Sequence, residues 1–331
     1  MDLTVIWAFI IAFAVFAYVV MDGFDLGIGV LFPTFAVGEE RDRAMNSIAP
    51  VWDGNETWLV LGGGGLFAAF PLAYAVILPA TYPLIIAMLL GLVFRGVAFE
   101  FRWRDPAHRR WWDLAFTLGS VMAALAQGMI LGALLQGIEV EGRQYAGEWF
   151  AWLTPYTLLT GLGTLAGYAL LGATWLVWKL DGPVQDHART LAKRTAWATF
   201  ALMGAVSLYN LALRPEYAER WTTTPELYYA APIPVLTALV ALALLRALAT
   251  ECHSRPFWLG ILLFLLGMAG IGMTIWPDVV PGAVTIWEAA APERSQVFML
   301  VGVAITMPLI IAYTAWAYWV FRGKTGSEGY H

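Results

Sequence analysis

The stretch M21-D-G-F-D-L-G-I-G-V-L-F-P33 closes an apolar run that begins at Leu3 and carries no charge before Asp22. The run is long enough for a helix that crosses a bilayer, at about 1.5 Å per residue. It lacks the basic n-region of a cleavable leader, so it reads as a membrane span. Its end holds two carboxylates, Asp22 and Asp25, and the first Lys or Arg of the chain is Arg41. An ionised acid at membrane depth costs a few kcal/mol unless it meets water or a partner. The partner must therefore come from elsewhere in the fold.

The rest of the chain supports a membrane setting. Of 331 residues, 60% are hydrophobic and 13% charged, about half the usual charged share of a soluble domain. The net charge of -5 gives no electrostatic footprint for nucleic acid. The single cysteine, Cys252, cannot form an intrachain disulfide or a four-cysteine metal site. Nine hydrophobic segments are expected, at about 3–25, 54–75, 77–98, 113–136, 156–179, 194–213, 229–249, 257–276 and 296–321. The second and third meet in a short turn near Ala75–Val76. Continuous runs of about 20 residues exclude a membrane β-barrel. The fold class is all-α, a polytopic membrane protein of about nine transmembrane helices forming one integral membrane domain over residues 1–331.

Lys and Arg are unevenly shared among the connections. Fourteen fall in the first, third, fifth and seventh connections and the tail, against four (Arg143, Arg214, Arg220, Arg294) on the other side. The positive-inside rule puts the N-terminus outside and the C-terminus in the cytoplasm. W316-A-Y-W-V-F-R322 reads as an aromatic belt beside a basic anchor.

This topology gathers the ionisable residues at membrane depth. Asp22 and Asp25 share a helix face near the inner end of the first span. N46-S-I-A-P-V-W-D-G-N-E-T-W58 opens the second span there with Asp53 and Glu56. The third span returns inward with Arg95 and Glu100. Five acids and one Arg from three spans suit a water-accessible pocket that accepts and relays protons, with Arg95 the candidate counter-charge. Bland readings stand beside this one: Asp53 as a helix cap, Arg95 and Glu100 snorkelling to headgroups. L61-G-G-G-G-L66 lacks the Lys-Ser/Thr of a phosphate loop and reads as close helix packing, as do G128-M-I-L-G132 and G163-T-L-A-G167. His108, His187, His253 and His331 all fall outside the expected spans, which leaves no histidine ligand for a membrane haem or zinc. A methionine in a span is more often packing than a ligand. Glu288, beside Trp287 on the outer side, is placed at the interface and outside any proton route.

Several stretches carry a resemblance. Y18-V-V-M-D-G-F-D-L-G-I-G29, N46–W58, G64-G-L-F-A-A-F-P71, F94-R95 with F99-E-F-R102, T285-I-W-E-A-A290 and Y313-T-A-W-A-Y-W-V-F-R-G-K324 are similar to subunit II of cytochrome bd-type quinol oxidases. The short loops resemble its compact, cyanide-insensitive branch. The resemblance implies a partner, subunit I, that carries two b-type haems and one d-type haem and oxidises quinol. Subunit II is then the haem-free partner in a complex that reduces dioxygen to water with cytoplasmic protons. It lies in the bacterial cytoplasmic membrane among lipid, with a structural quinone in some members and a small accessory subunit in others. The acids at Asp25 and Asp53 and the arginine at Arg95 are the family positions linked to proton uptake or haem-region stability. That favours Asp25 over Asp22. Two alternatives remain: a proton-coupled secondary transporter, hinted at by Gly62–Gly65 and Pro308, and a purely structural subunit.

Overall fold

Asp2 starts the first helix by accepting a hydrogen bond from the Thr4 backbone amide at 2.9 Å, which satisfies one of the free N–H groups every helix start exposes. The computed structural model describes residues 2–326; Met1 and residues 327–331, and with them His331, lie outside the described residues. The chain folds as α1 (Leu3–Leu31), α2 (Glu39–Asn46), α3 (Trp52–Ala69), α4 (Pro71–Arg104), α5 (Arg109–Gln136), α6 (Pro155–Lys179), α7 (Gly182–Leu213), α8 (Pro215–Thr222), α9 (Glu226–Ala230), α10 (Pro232–Ala249), α11 (Arg255–Ile275), α12 (Ile286–Ala289) and α13 (Glu293–Val320). Two small antiparallel hairpins interrupt it. β1 (Val140–Glu141) pairs with β2 (Gln144–Tyr145), and β3 (Asp278–Val280) with β4 (Val284–Thr285).

Among the described residues, eight helical segments are long and apolar enough to cross a membrane. The ninth expected segment is α3, an 18-residue helix packed along α1 whose opening carries Asp53, Asn55 and Glu56. The turn between α3 and α4 lies at Phe70, not near Ala75–Val76. Pro71 forces this: it cannot donate to a continuing helix, and it pushes Phe70 out of helical backbone, to φ -130° and ψ 62°. α7 begins at Gly182, so Arg189, Lys193 and Arg194 ride on a helix and not in a connection. Pro183 starts that helix readily because a first-turn N–H has no helical partner to lose.

The core surrounds the second half of α1. Phe24, Leu26, Ile28 and Leu31 are buried, and the Phe24 ring stacks on Trp175 of α6 at 4.5 Å. Glycines permit the close approach. A Cβ on Gly27 would lie 1.8 Å from the Tyr168 carbonyl oxygen, and one on Gly172 2.5 Å from the Ile28 amide. Gly128 and Gly132 likewise seat α5 on α6, whereas Gly163 is loosely packed and Gly167 meets Phe264 of α11. In the four-glycine run, Gly62 and Gly65 face Val15 and Ile11 of α1, and Gly63 and Gly64 meet nothing within 4 Å.

α13 lies outside this core; Gln296 is its one buried residue. Trp7 Nε1 donates to the Gln296 carbonyl at 3.1 Å, and Gln296 Nε2 donates to the Ala291 carbonyl at 2.8 Å. The opposite end of α13 meets the ends of α1 and α6 and the start of α3. We call that the basic end, because Arg41, Arg43, Arg102, Lys179 and Lys324 collect there.

Two expectations follow. Gly27→Ala should lower the thermal midpoint of the purified complex by several degrees, since overpacking typically costs about 1–3 kcal/mol. Gly204→Ala, at a position with open space, should be neutral or slightly stabilising. At the basic end, Arg43 donates to Asp181 and holds that carboxyl below its ordinary value. A depressed folded-state value stabilises at pH above the unfolded value, about 3.9. The stability gap between wild type and Asp181→Asn should thus be full near neutrality and close as pH falls below that value, read as midpoint against pH.

Candidate functional site

Arg95 sits on α4 with its side chain fully buried. A lone guanidinium there would carry a desolvation cost of several kcal/mol. Two other helices supply its partners: it donates to Asp22 of α1, and to Glu56 Oε2 of α3 at 2.9 Å. Its guanidinium also lies over the Trp52 ring at 5.8 Å, and that ring stacks on Phe99 at 4.7 Å. Of the two acids on α1, the family resemblance favours Asp25, whereas the one bound to Arg95 is Asp22.

Asp25 is equally buried and takes a different partner. Asn55 Nδ2 donates to Asp25 Oδ2 at 2.8 Å, and the Tyr318 hydroxyl on α13 donates to Asn55 Oδ1 at 2.8 Å. Asp25 Oδ1 and Asp22 Oδ2 are buried with no protein partner among the described residues. One turn before Asp22, the Tyr18 hydroxyl accepts from Gln127 Nε2 at 2.7 Å, and Tyr168 donates to Gln127 Oε1 at 2.7 Å. The site thus joins three acids and one cation in a polar core. Glu56, with its side chain 31% exposed, is the acid that reaches its surface.

The other two candidates lie apart. Asp53 is exposed on the outward side of α3 and does not join the buried cluster. Glu100 is exposed and pairs along its own helix with Arg104 at 3.3 Å. Glu288 is exposed and accepts from the Thr285 amide at 2.8 Å in a capping box, far along the chain from the acid cluster.

Comparison with known proteins gives the family. The family model for cytochrome bd terminal oxidase subunit II matches residues 3–321. The chain belongs to the cytochrome bd terminal oxidase subunit II family. Cytochrome bd-I ubiquinol oxidase subunit 2 of Escherichia coli K12 is 30% identical over 360 residues, covering 98% of this chain and 95% of the relative. Cytochrome bd ubiquinol oxidase subunit 2 of Bacillus subtilis is 26% identical over 338 residues, covering 98% and 97%. The solved bd oxidase of Geobacillus thermodenitrificans shares the fold at a TM-score of 0.79 and 19% identity, covering 97% of this chain and 99% of that one. This subunit II is accordingly a multi-pass protein of the bacterial inner membrane and part of a respiratory terminal oxidase that also has a subunit I.

Sequence reasoning missed a second ionic network in this subunit II. Arg102, fully buried, donates to Asp113 Oδ1 at 2.5 Å and to Asp42 Oδ1 at 2.9 Å. Arg41 reaches Asp113 Oδ2 at 2.8 Å, and Arg109 donates to Asp42. The guanidinium of Arg102 lies between the rings of Phe32 and Trp103, at 5.4 and 4.9 Å. These residues read as loop charges because the expected spans ended at 98 and began again at 113. The missed signal was the apolar and aromatic residues that continue the third segment to Trp103. The network fastens α2 across the ends of α4 and α5. Asp113→Ala leaves Arg102 buried without its main partner, and should destabilise the complex by about 3 kcal/mol or more, read as midpoint and as yield of assembled enzyme.

Proposed function

We propose that this subunit II is the haem-free partner of a haem-bearing subunit I, and that it conducts protons from the cytoplasm toward the site of dioxygen reduction. The relatives are named as ubiquinol oxidases, and a quinol is the electron donor in this reading. Reduction of one dioxygen to two waters consumes four electrons and four protons, and two quinols supply the electrons. If the protons reach the oxygen only from the cytoplasm, turnover charges the membrane without a pump.

One observation carries the proton role: a buried Arg95 shared between Asp22 and Glu56, with Asp25 behind them and Glu56 at the surface. Three acids against one cation leave carboxylate oxygens that take up and give back protons at small cost in net charge. Glu56 is the acceptor nearest the surface. Arg95 holds Glu56 and Asp22 in place, and Asp25 lies within electrostatic reach of all three. Asn55 orients the Asp25 carboxylate. Asp53, exposed one turn before Thr57 on α3, adds a surface charge near Glu56.

The haem-free reading rests on the ligands available. His108 pairs with Asp105 at 3.0 Å, His187 packs against Phe35, and His253 meets Gln185 at 3.1 Å, all at the ends of helices. None is placed on a face inside the bundle. The haems of the complex fit subunit I better, where they supply the redox chemistry.

Replacement of a single acid separates proton conduction from scaffolding. Asp25→Asn should lower quinol-driven oxygen consumption about tenfold or more, with haem absorption and assembly retained. Glu56→Gln should do the same, and Asp53→Asn should have the smaller effect. Normal turnover in Asp25→Asn would sink the proton reading. Loss of haem absorption in that variant would favour a purely structural role.

A further inference from the structure

At the basic end, α6 and α13 finish side by side and exchange lysines. Lys179 Nζ, at the end of α6, donates to the carbonyls of Phe321 and Gly323 beyond α13. Lys324 Nζ donates to the carbonyls of Trp178 and Leu180, at 2.7 and 2.6 Å. The Thr325 amide donates to the Lys179 carbonyl at 2.9 Å. Each lysine thus caps the other helix's last carbonyls, which have no partner within their own helix. An ammonium carries three donors, so each keeps one after these bonds.

A cavity of about 270 Å³ opens between the two helix ends, lined among others by Lys179, Lys324, Asn46, Ser47, Thr325 and Trp175. Among the described residues, no carboxylate lines it. Lys179 lies over the Trp175 ring at 5.0 Å. Arg43 and Arg189 stand close enough to act on Lys324 electrostatically, and the acid acting with them is Asp181, itself bound to Arg43. Arg189 donates to the carbonyls of Thr250 and Cys252. Burial, with Arg189 and Arg43 opposing Asp181, pulls Lys324 below its ordinary value. Among the described residues, four cations face one carboxylate, in a chain whose net charge is -5. Backbone carbonyls satisfy hydrogen bonds but cancel no net charge, so the described residues leave a positive field that suits an anion. A water's share of volume is about 30 Å³, so the space accepts a phosphate with some of its hydration.

We propose that this cavity is a phosphate-binding site, set at the level where an anionic phospholipid presents its headgroup. Basic recesses between membrane helices are suited to such headgroups. The lysine pair supplies the two free donors, and the Ser47 and Thr325 region supplies polar wall. An anion held there would bind both helix ends at once and so fasten α13, which the core barely holds.

The test uses the assembled oxidase, stripped of lipid in neutral detergent, with the thermal midpoint as readout. The probes are phosphatidylglycerol, phosphatidylcholine and inorganic phosphate, each alone. We expect phosphatidylglycerol to raise the midpoint by a few degrees over phosphatidylcholine. Lys324→Gln should lose most of that rise, and Lys324→Arg should keep it. A rise with inorganic phosphate as well assigns the site to free phosphate; a rise confined to phosphatidylglycerol assigns it to the headgroup. Equal responses in wild type and Lys324→Gln overturn the proposal, as does no response to either anion. If Lys324→Gln fails to assemble, Thr325→Glu decides, because it sets a carboxylate on the cavity wall. That variant should show a raised midpoint without added anion and little further response; a full wild-type response overturns the site.

Discussion

The fold turns on one buried guanidinium. Arg95 comes from α4, and its two carboxylate partners come from α1 and α3. Of the long helices in this region, α3 is the one whose apolarity alone does not mark it as a span. Its first two turns carry Asp53, Asn55 and Glu56, groups costly to bury without partners. Arg95 answers Glu56, and Asp25 answers Asn55. Without those two pairings α3 would bury its polar groups unpaired beside α1, and Asp25 would have nothing to bind. Ionic pairing and helix placement are the same event here, which is why the acid cluster cannot be treated as an ornament on an independent scaffold.

The basic end holds charge in two distinct ways. Around Arg95, acids outnumber cations and sit among α1, α3 and α4. Around Arg102, three arginines share two aspartates across the ends of α4, α5 and α2. The first arrangement has carboxylate oxygens to spare, which suits proton exchange. The second has more cations than acids, and each acid bonds two arginines, which suits fastening a helix against the bundle. Aromatic rings beside both arginines extend the same logic, since a ring face attracts a guanidinium without adding an anion.

Much of this was legible in residues 21–33 and 46–58. Continuous apolar runs set the class, and orientation by Lys and Arg brings Asp22, Asp25, Glu56 and Arg95 to one end. The pairing within the cluster was not legible. Which of two acids one helical turn apart faces Arg95 depends on the rotation of α1 against α6, and glycine contacts at Gly27 and Gly172 set that rotation. Asn55 passed unnoticed because an amide carries no charge to flag it. Tyr318 read as one more ring of an interfacial belt, yet its hydroxyl ties α13 to the acid site. Asp53 and Glu100 looked equivalent to their neighbours in spacing. A helix shows different faces to the interior and the exterior, and sequence separation alone did not tell which face was which.

The weak burial of α13 also bears on how the protein is made. Its tethers bridge very long stretches of chain: Gln296 to Trp7, Gln296 to Thr4 and Tyr318 to Asn55 are separated by 289, 292 and 263 residues. Contacts of such range form late, after the loops between them have closed. The pairing of Asn55 with Asp25 is therefore completed by a helix that follows them in the chain by more than two hundred residues. Until it arrives, the first helices hold an acid site whose amide is free to swing. A chain truncated before Tyr318 would keep nearly all its spans and still lack a finished site.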